Sequence, residues 1–146
     1  MISLHPITPG DANLLQGTSY AAMPAEAMDK MLSESLAQCH DGKYFELFAV
    51  MDNDICVGLV SLYETAPREI SCGPEIKPQF RRRGYGYWAV ITALERATLL
   101  GYTQAVAQVR QDNTASIALH QKLGFSLYRS YTNKKGHSVM EFKKLL

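Results

Sequence analysis

The sequence is poor in cysteine, nearly neutral in charge and free of long apolar runs. Only Cys39, Cys56 and Cys72 occur, and none stand at C-x-x-C spacing. An odd number so placed argues against a disulfide framework and against a zinc ligand set, so no metal site is expected. The formal net charge is +1. That gives neither the basic footprint of a nucleic-acid binder nor a polybasic surface for anionic lipid. No stretch is long enough to cross a bilayer, and Met1–Gly10 lacks a basic region followed by an apolar run. The expectations are therefore no nucleic-acid partner, no membrane partner and a reduced cytoplasmic setting. Two phosphate-binding fingerprints are also missing. There is no G-x-x-x-x-G-K-[ST] loop, and no dinucleotide motif with its third glycine after a first strand.

What is present describes an ordinary folded chain. Of 146 residues, 47% are hydrophobic and 20% charged, enough for a real core in one domain spanning 1–146. No repeat or linker breaks it. Ile2 to Ile7 alternates as a strand. Thr8-Pro9-Gly10-Asp11 opens a helix, with Thr8 or Asp11 as cap. Met28, Met31, Leu32 and Leu36 predict a second helix over Pro24 to about Gln38. Tyr44–Met51 and Ile55–Tyr63 form a hairpin around Asp52-Asn53-Asp54. Ile70–Lys77 is a further strand, in which Gly73-Pro74 forces a bulge or a splay because proline donates no ladder bond. A helix follows over Gly84–Leu100, closed by Gly101. Gln104–Val109 is a strand, and a helix from Asp112-Asn113 to Leu123 is closed by Gly124. Phe125–Thr132 and Ser138–Leu145 are strands joined by an Asn133–Gly136 turn. The order is β-α-α-β-β-β-α-β-α-β-β. The strands on either side of the third helix should be parallel neighbours. The fold class is α/β or α+β, a mixed sheet with helices on both faces.

The chemistry gathers in Ile76-Lys77-Pro78-Gln79-Phe80-Arg81-Arg82-Arg83-Gly84-Tyr85-Gly86. A strand ends there, a basic loop with glycines follows, and a helix begins at once. The first turn of a helix has unpaired N–H groups and partial positive charge, which suit a phosphate or pyrophosphate. Gly84 and Gly86 let backbone approach an anion, and Arg81, Arg82 and Arg83 add fork-shaped donors. Three arginines beside Tyr85, Tyr87 and Trp88 also read as a solvated face or as an RNA surface, and the balanced net charge argues against the latter. Further on, Asn113, Ser116 and His120 are spaced to share one helix face. Asn113 reads equally as a helix cap.

Arg81-x-x-Gly84-x-Gly86 resembles the R/Q-x-x-G-x-G/A acyl-coenzyme A signature of the GNAT family of N-acetyltransferases. Ile76-x-Pro78 is similar to the V-x-P that ends the preceding strand in that family. Asn113-Thr-Ala-Ser116-Ile-Ala-Leu-His120-Gln-Lys122-Leu-Gly124-Phe125 resembles its N-x-x-[AS]-x-x-L-Y-x-K-x-G-F segment. The element order also fits, so the resemblance runs over essentially the whole chain.

The resemblance implies acetyl transfer from acetyl-coenzyme A to a primary amine by direct attack, with no covalent enzyme intermediate. It implies that backbone around Arg81–Tyr87 holds the pyrophosphate, that the pantetheine arm lies along Gly73–Ile76, and that Asn113 contacts that arm; Ser116, on the same helix face, is read as a further coenzyme-binding residue. The family's usual proton donor is a tyrosine at the position of His120, so His120 is the expected replacement; the alternative is a helix histidine without chemical duty. Some relatives carry a glutamate where Gln108 stands, and acids or histidines at the positions of Ile70 and Cys72. The base is then a water chain, a carboxylate from the N-terminal helices such as Glu26 or Glu34, or no group at all. The acceptor is a small-molecule amine or a peptide or protein amine, chosen by Thr18–Cys39 and Asn133–His137. Edges of the last strands offer a route to a homodimer. A non-catalytic acyl-coenzyme A binding module of the same fold is the alternative function.

Overall fold

The computed structural model describes residues 1–146. Seven strands make one sheet: β1 (Ile2–Pro6), β2 (Phe45–Asp52), β3 (Ile55–Ala66), β4 (Glu69–Ile76), β5 (Gln104–Arg110), β6 (Ser126–Thr132) and β7 (Ser138–Leu145). Three α-helices accompany them: α1 (Ala25–Ala37), α2 (Tyr85–Leu99) and α3 (Thr114–Lys122). The spatial order is β1-β2-β3-β4-β5-β7-β6. Only β4 and β5 run parallel, across the α2 connection, as expected for a helical crossover.

One expected helix is different in kind. Pro9–Leu15 is a 3-10 turn, followed by another at Ser19–Ala22. The Asp11 carboxylate folds back to accept from the Thr8 N–H and hydroxyl, each at 3.0 Å, and the Asp11 backbone leaves helical geometry. Pro9 and this local bonding tighten the segment before an α-helix can propagate. Helix α1 forms where the methionine stripe predicts it. Leu32 is fully buried, whereas Leu36 is 60% exposed and does not continue the stripe. Ser35 does, with its hydroxyl accepting from the Leu47 N–H at 2.8 Å, which ties α1 to β2.

Two cores cover the two faces. Ile7, Leu15, Leu32, Leu47, Ala49 and Leu59 pack under α1 and the 3-10 turns. The larger core joins Val60, Leu62, Ile70 and Cys72 to Ala89, Val90, Ala93 and Ala97 of α2, and to Leu123, Phe125 and Phe142. Alanines at three of those α2 positions let the helix lie close to the sheet. Each fully buried Leu, Ile or Phe side chain contributes roughly 1.5–3 kcal/mol through burial. No helix is long and apolar enough to cross a membrane.

The feature that positions the site is a wedge between β4 and β5. They pair only over Glu69–Ser71 against Gln104–Val106 and then separate. The bulge expected at Gly73-Pro74 is absent, because β3–β4 pairing runs unbroken through Ser61–Gly73 and Val60–Pro74; the irregularity lies at Glu64/Ala66 instead. The splay is present. The Lys77 N–H donates to the Val57 carbonyl. Alternation along an antiparallel ladder then turns Pro74 away from β3 toward the wedge. Its missing N–H therefore costs the β3 ladder nothing and weakens only the side on which β5 has already departed. Gly58 lets this end of β4 lie flat on β3: a Cβ there would stand 2.8 Å from Ile76 Cα.

Candidate active site at the wedge

Strand β4 ends at Ile76, and the chain turns through Pro78–Phe80 into the loop that starts α2. Arg82 and Gly84 both take positive φ, 66° and 83°. A Cβ on Gly84 would meet open space, so glycine serves the backbone angle there. At Gly86 a Cβ would stand 3.4 Å from Leu119 Cδ2 of α3, so glycine serves helix–helix approach. The helix has no side-chain cap. Every backbone N–H from Arg82 through Tyr87 lacks an acceptor in the protein; the Trp88 N–H is the first to be paired, with the Gly84 carbonyl. A row of unpaired donors at a helix start is a cradle for an anion.

The arginines divide their duties. Arg81 Nε donates to the Ile76 carbonyl at 3.0 Å and braces the loop against the strand. Arg83 lies over the Phe80 ring at 5.9 Å, and Arg82 is exposed. The Tyr85 ring packs edge-on against Phe80 of the loop, with centroids 6.4 Å apart. Its hydroxyl donates to Asp52 at 2.5 Å, which raises the phenol pKa and lowers that of the carboxyl. Tyr87 packs its ring under Lys122 Nζ, 4.9 Å away, joining α2 to α3.

Helix α3 brings Asn113, Ser116 and His120 together on one side. Asn113 Oδ1 accepts from the Ser116 N–H at 3.1 Å, so Asn113 caps the helix, leaving its amide NH2 without a partner in the protein. His120 is 3% exposed, stacked on Phe142 and edge-on to Phe125. Its Nδ1 lies 2.8 Å from the Ser116 carbonyl. A carbonyl can only accept, so Nδ1 carries the proton and Nε2 holds a lone pair. Nε2 is buried and has no partner. Burial, partly offset by the Ser116 bond, lowers the His120 pKa and keeps the ring neutral.

The other positions weighed for chemistry are resolved by their surroundings. Cys72 is fully enclosed, and burial pushes its thiol up to about 12, so it supplies no thiolate near neutral pH. Gln108 donates to Glu141 at 3.5 Å, and that buried carboxylate also pairs with Arg129 at 3.3 Å. Glu26 is exposed. Glu34 Oε2 lies 2.6 Å from His40 Nδ1. Glu75, on the strand bordering the wedge, accepts from the Ser19 N–H at 2.7 Å and from its hydroxyl. The Glu75–Ser19 and Tyr85–Asp52 pairs escaped the sequence reading. Their partners are 56 and 33 residues apart and carry no local signal.

A family model described as an acetyltransferase (GNAT) domain matches residues 2–126. Strand β6 begins at the end of that match, and β7 lies beyond it. Solved structures extend the likeness to the whole chain. A spermidine N-acetyltransferase chimera from Vibrio cholerae and human sequence superposes with a TM-score of 0.82 at 20% identity, covering 98% of this chain and 95% of that one. A ribosomal L7/L12 alpha-N-protein acetyltransferase, solved with coenzyme A, gives a TM-score of 0.85 at 14% identity, covering 99% and 94%. The Vibrio cholerae spermidine N-acetyltransferase in complex with coenzyme A and spermine gives 0.82 at 18%, covering 99% and 95%. None of the curated proteins compared with the chain matches it in sequence.

Proposed function

The chain belongs to the GNAT family of acetyl-coenzyme A-dependent N-acetyltransferases, and from that premise we propose that it acetylates a primary amine by direct attack in a ternary complex. The observation that carries this reading is the row of unpaired N–H groups from Arg82 to Tyr87, set at the mouth of the β4–β5 wedge. Those groups hold the pyrophosphate, helped by Arg82 and Arg83, while Arg81 holds the loop itself in shape. The open edge of β4 from Gly73 to Ile76 receives the pantetheine arm, with Asn113 and Ser116 of α3 on the other side. When bound, the coenzyme supplies an acyl group activated as a thioester.

The protein's own contribution is positioning and proton handling. His120 in its resting tautomer offers a lone pair at Nε2, so it cannot begin as a donor. It acts instead as a relay: Nε2 takes the proton released by the attacking amine and yields it to the departing sulfur. The lowered pKa favours the second half of that relay, because an imidazolium held in this apolar surrounding gives its proton up readily. The acceptor enters from the α1 face, since α2 and α3 cover the other. It is an amine. Proteins of this fold at low identity are named for spermidine in one case and for a ribosomal protein's alpha-amino group in another.

The test is release of free coenzyme A thiol with a panel of small amines and peptides, for wild type and His120→Gln. Amine-dependent release in wild type is expected, with turnover in the variant about 10²-fold lower, the size of one proton-transfer contribution. Coenzyme binding without release by any amine would contradict the reading, and equal turnover in the two proteins would remove His120 from it.

A further inference from the structure

A cavity of about 390 Å³ opens on the α1 face of the sheet, lined by Met31, Glu34, His40, Phe45 and Tyr63. Its chemistry is not that of the wedge. Glu34 Oε2 lies 2.6 Å from His40 Nδ1, and Asp41 Oδ2 lies 3.3 Å from His40 Nε2. Two carboxylates flank one imidazole, and of the two Glu34 lines the pocket itself. The walls are aromatic. Phe45 and Tyr63 meet edge-on at 6.5 Å, His40 stands 5.8 Å from Tyr63, and Met31 adds a flexible apolar surface. A carboxylate at the rim of an aromatic-walled hollow suits an alkylammonium ion. The charge pairs with Glu34, and the rings accept the cation and its methylenes.

The pocket's position relative to the wedge gives that chemistry a purpose. Tyr63 stands opposite Ser71 across β3 and β4, on the face that carries α1. Ser71 is the last β4 residue paired with β5, against Val106. The Tyr63 wall is therefore between one and two strand spacings from the apex of the wedge, roughly 5–10 Å. That is the reach of a short aliphatic chain.

We infer that this pocket holds the distal ammonium group of an aliphatic diamine acceptor, whose other amine lies at the wedge. The inference takes the site of attack from the proposed acetyl transfer, but binding in the pocket can be measured without turnover.

Aliphatic diamines bracketing that span, and monoamines of matched length, are titrated calorimetrically into the coenzyme A-loaded protein. Wild type, Glu34→Gln and Phe45→Leu are compared. In wild type the best diamine binds at least about ten-fold more tightly than its matched monoamine, the lower bound for one charge-assisted bond. That preference disappears in Glu34→Gln and shrinks in Phe45→Leu. Coenzyme A affinity, measured on the same variants, reports that they are folded. Equal binding of diamine and monoamine by wild type, no binding of either, or a preference that survives in Glu34→Gln overturns the inference. Diamine binding with the expected preference but no acetyl transfer would instead count against the proposed activity and leave the pocket standing.

Discussion

Helices α2 and α3 pack against each other and begin differently. Asn113 supplies α3 with its own cap, its side chain taking the Ser116 N–H. Helix α2 starts at Gly84, which has no side chain to offer, and its first N–H groups stay open. The start of α2 is tied to the last turn of α3 by the Gly86–Leu119 approach and by Lys122 over Tyr87. An Asn, Asp, Ser or Thr cap is typically worth about 1 kcal/mol. The chain uses that stabilisation at α3 and forgoes it at α2. A helix end completed by its own sequence is structure; a helix end left incomplete beside a basic loop is a place for an anion.

Substitutions at the two starts should therefore separate cleanly. Arg83→Glu should have the largest effect, on binding alone. Coenzyme A affinity, followed calorimetrically, should fall about ten- to a hundred-fold, the size of one lost charge-assisted bond. Unfolding stability should barely move, since an acid just before a helix start does not oppose the dipole. A large drop in melting temperature with unchanged affinity would reverse the assignment of the two helix starts.

Asn113→Ala should act mainly on stability. Loss of the cap costs about 1 kcal/mol, a melting-temperature drop of a few degrees for a chain of this size. Asn113→Asp should restore it. If Asn113→Ala instead leaves stability unchanged and abolishes coenzyme binding, the cap is incidental.

The smallest effect is in the pH dependence. The folded pKa of His120 lies below its ordinary value of about 6.5, so the unfolded chain binds its proton first as pH falls. The stability linked to His120 is complete above about pH 6.5 and is lost as pH falls below it. Denaturant midpoints followed through that window should drop in wild type and drop less in His120→Phe, which keeps an aromatic ring against Phe125 and Phe142. Parallel curves would mean that His120 takes up its proton as readily in the folded protein as in the unfolded chain.

Much of this was legible in the sequence, for reasons that differ by element. The parallel β4–β5 pair followed from a helix long enough to cross over, and the ends of α2 and α3 followed from Gly101 and Gly124, both at positive φ. The anion cradle was legible because strand end, basic loop and helix start are contiguous. The 3-10 geometry of Pro9–Leu15 was not, because it depends on where the Asp11 carboxylate turns. The surroundings of His120 were not either. Spacing placed it beside Ser116, but its burial depends on Phe142, which arrives on a strand 22 residues later. The Glu34–His40 pocket needed α1, β2 and β3 to be assembled first.

The most direct measurement is an amide NMR titration of uniformly labelled protein with coenzyme A. The account predicts that the N–H signals of Arg82 through Tyr87 move furthest and gain protection from exchange, while the Ser116 N–H, already bound to Asn113, keeps the protection it had. Largest shifts on another element, with the Arg82–Tyr87 amides unmoved, would contradict it.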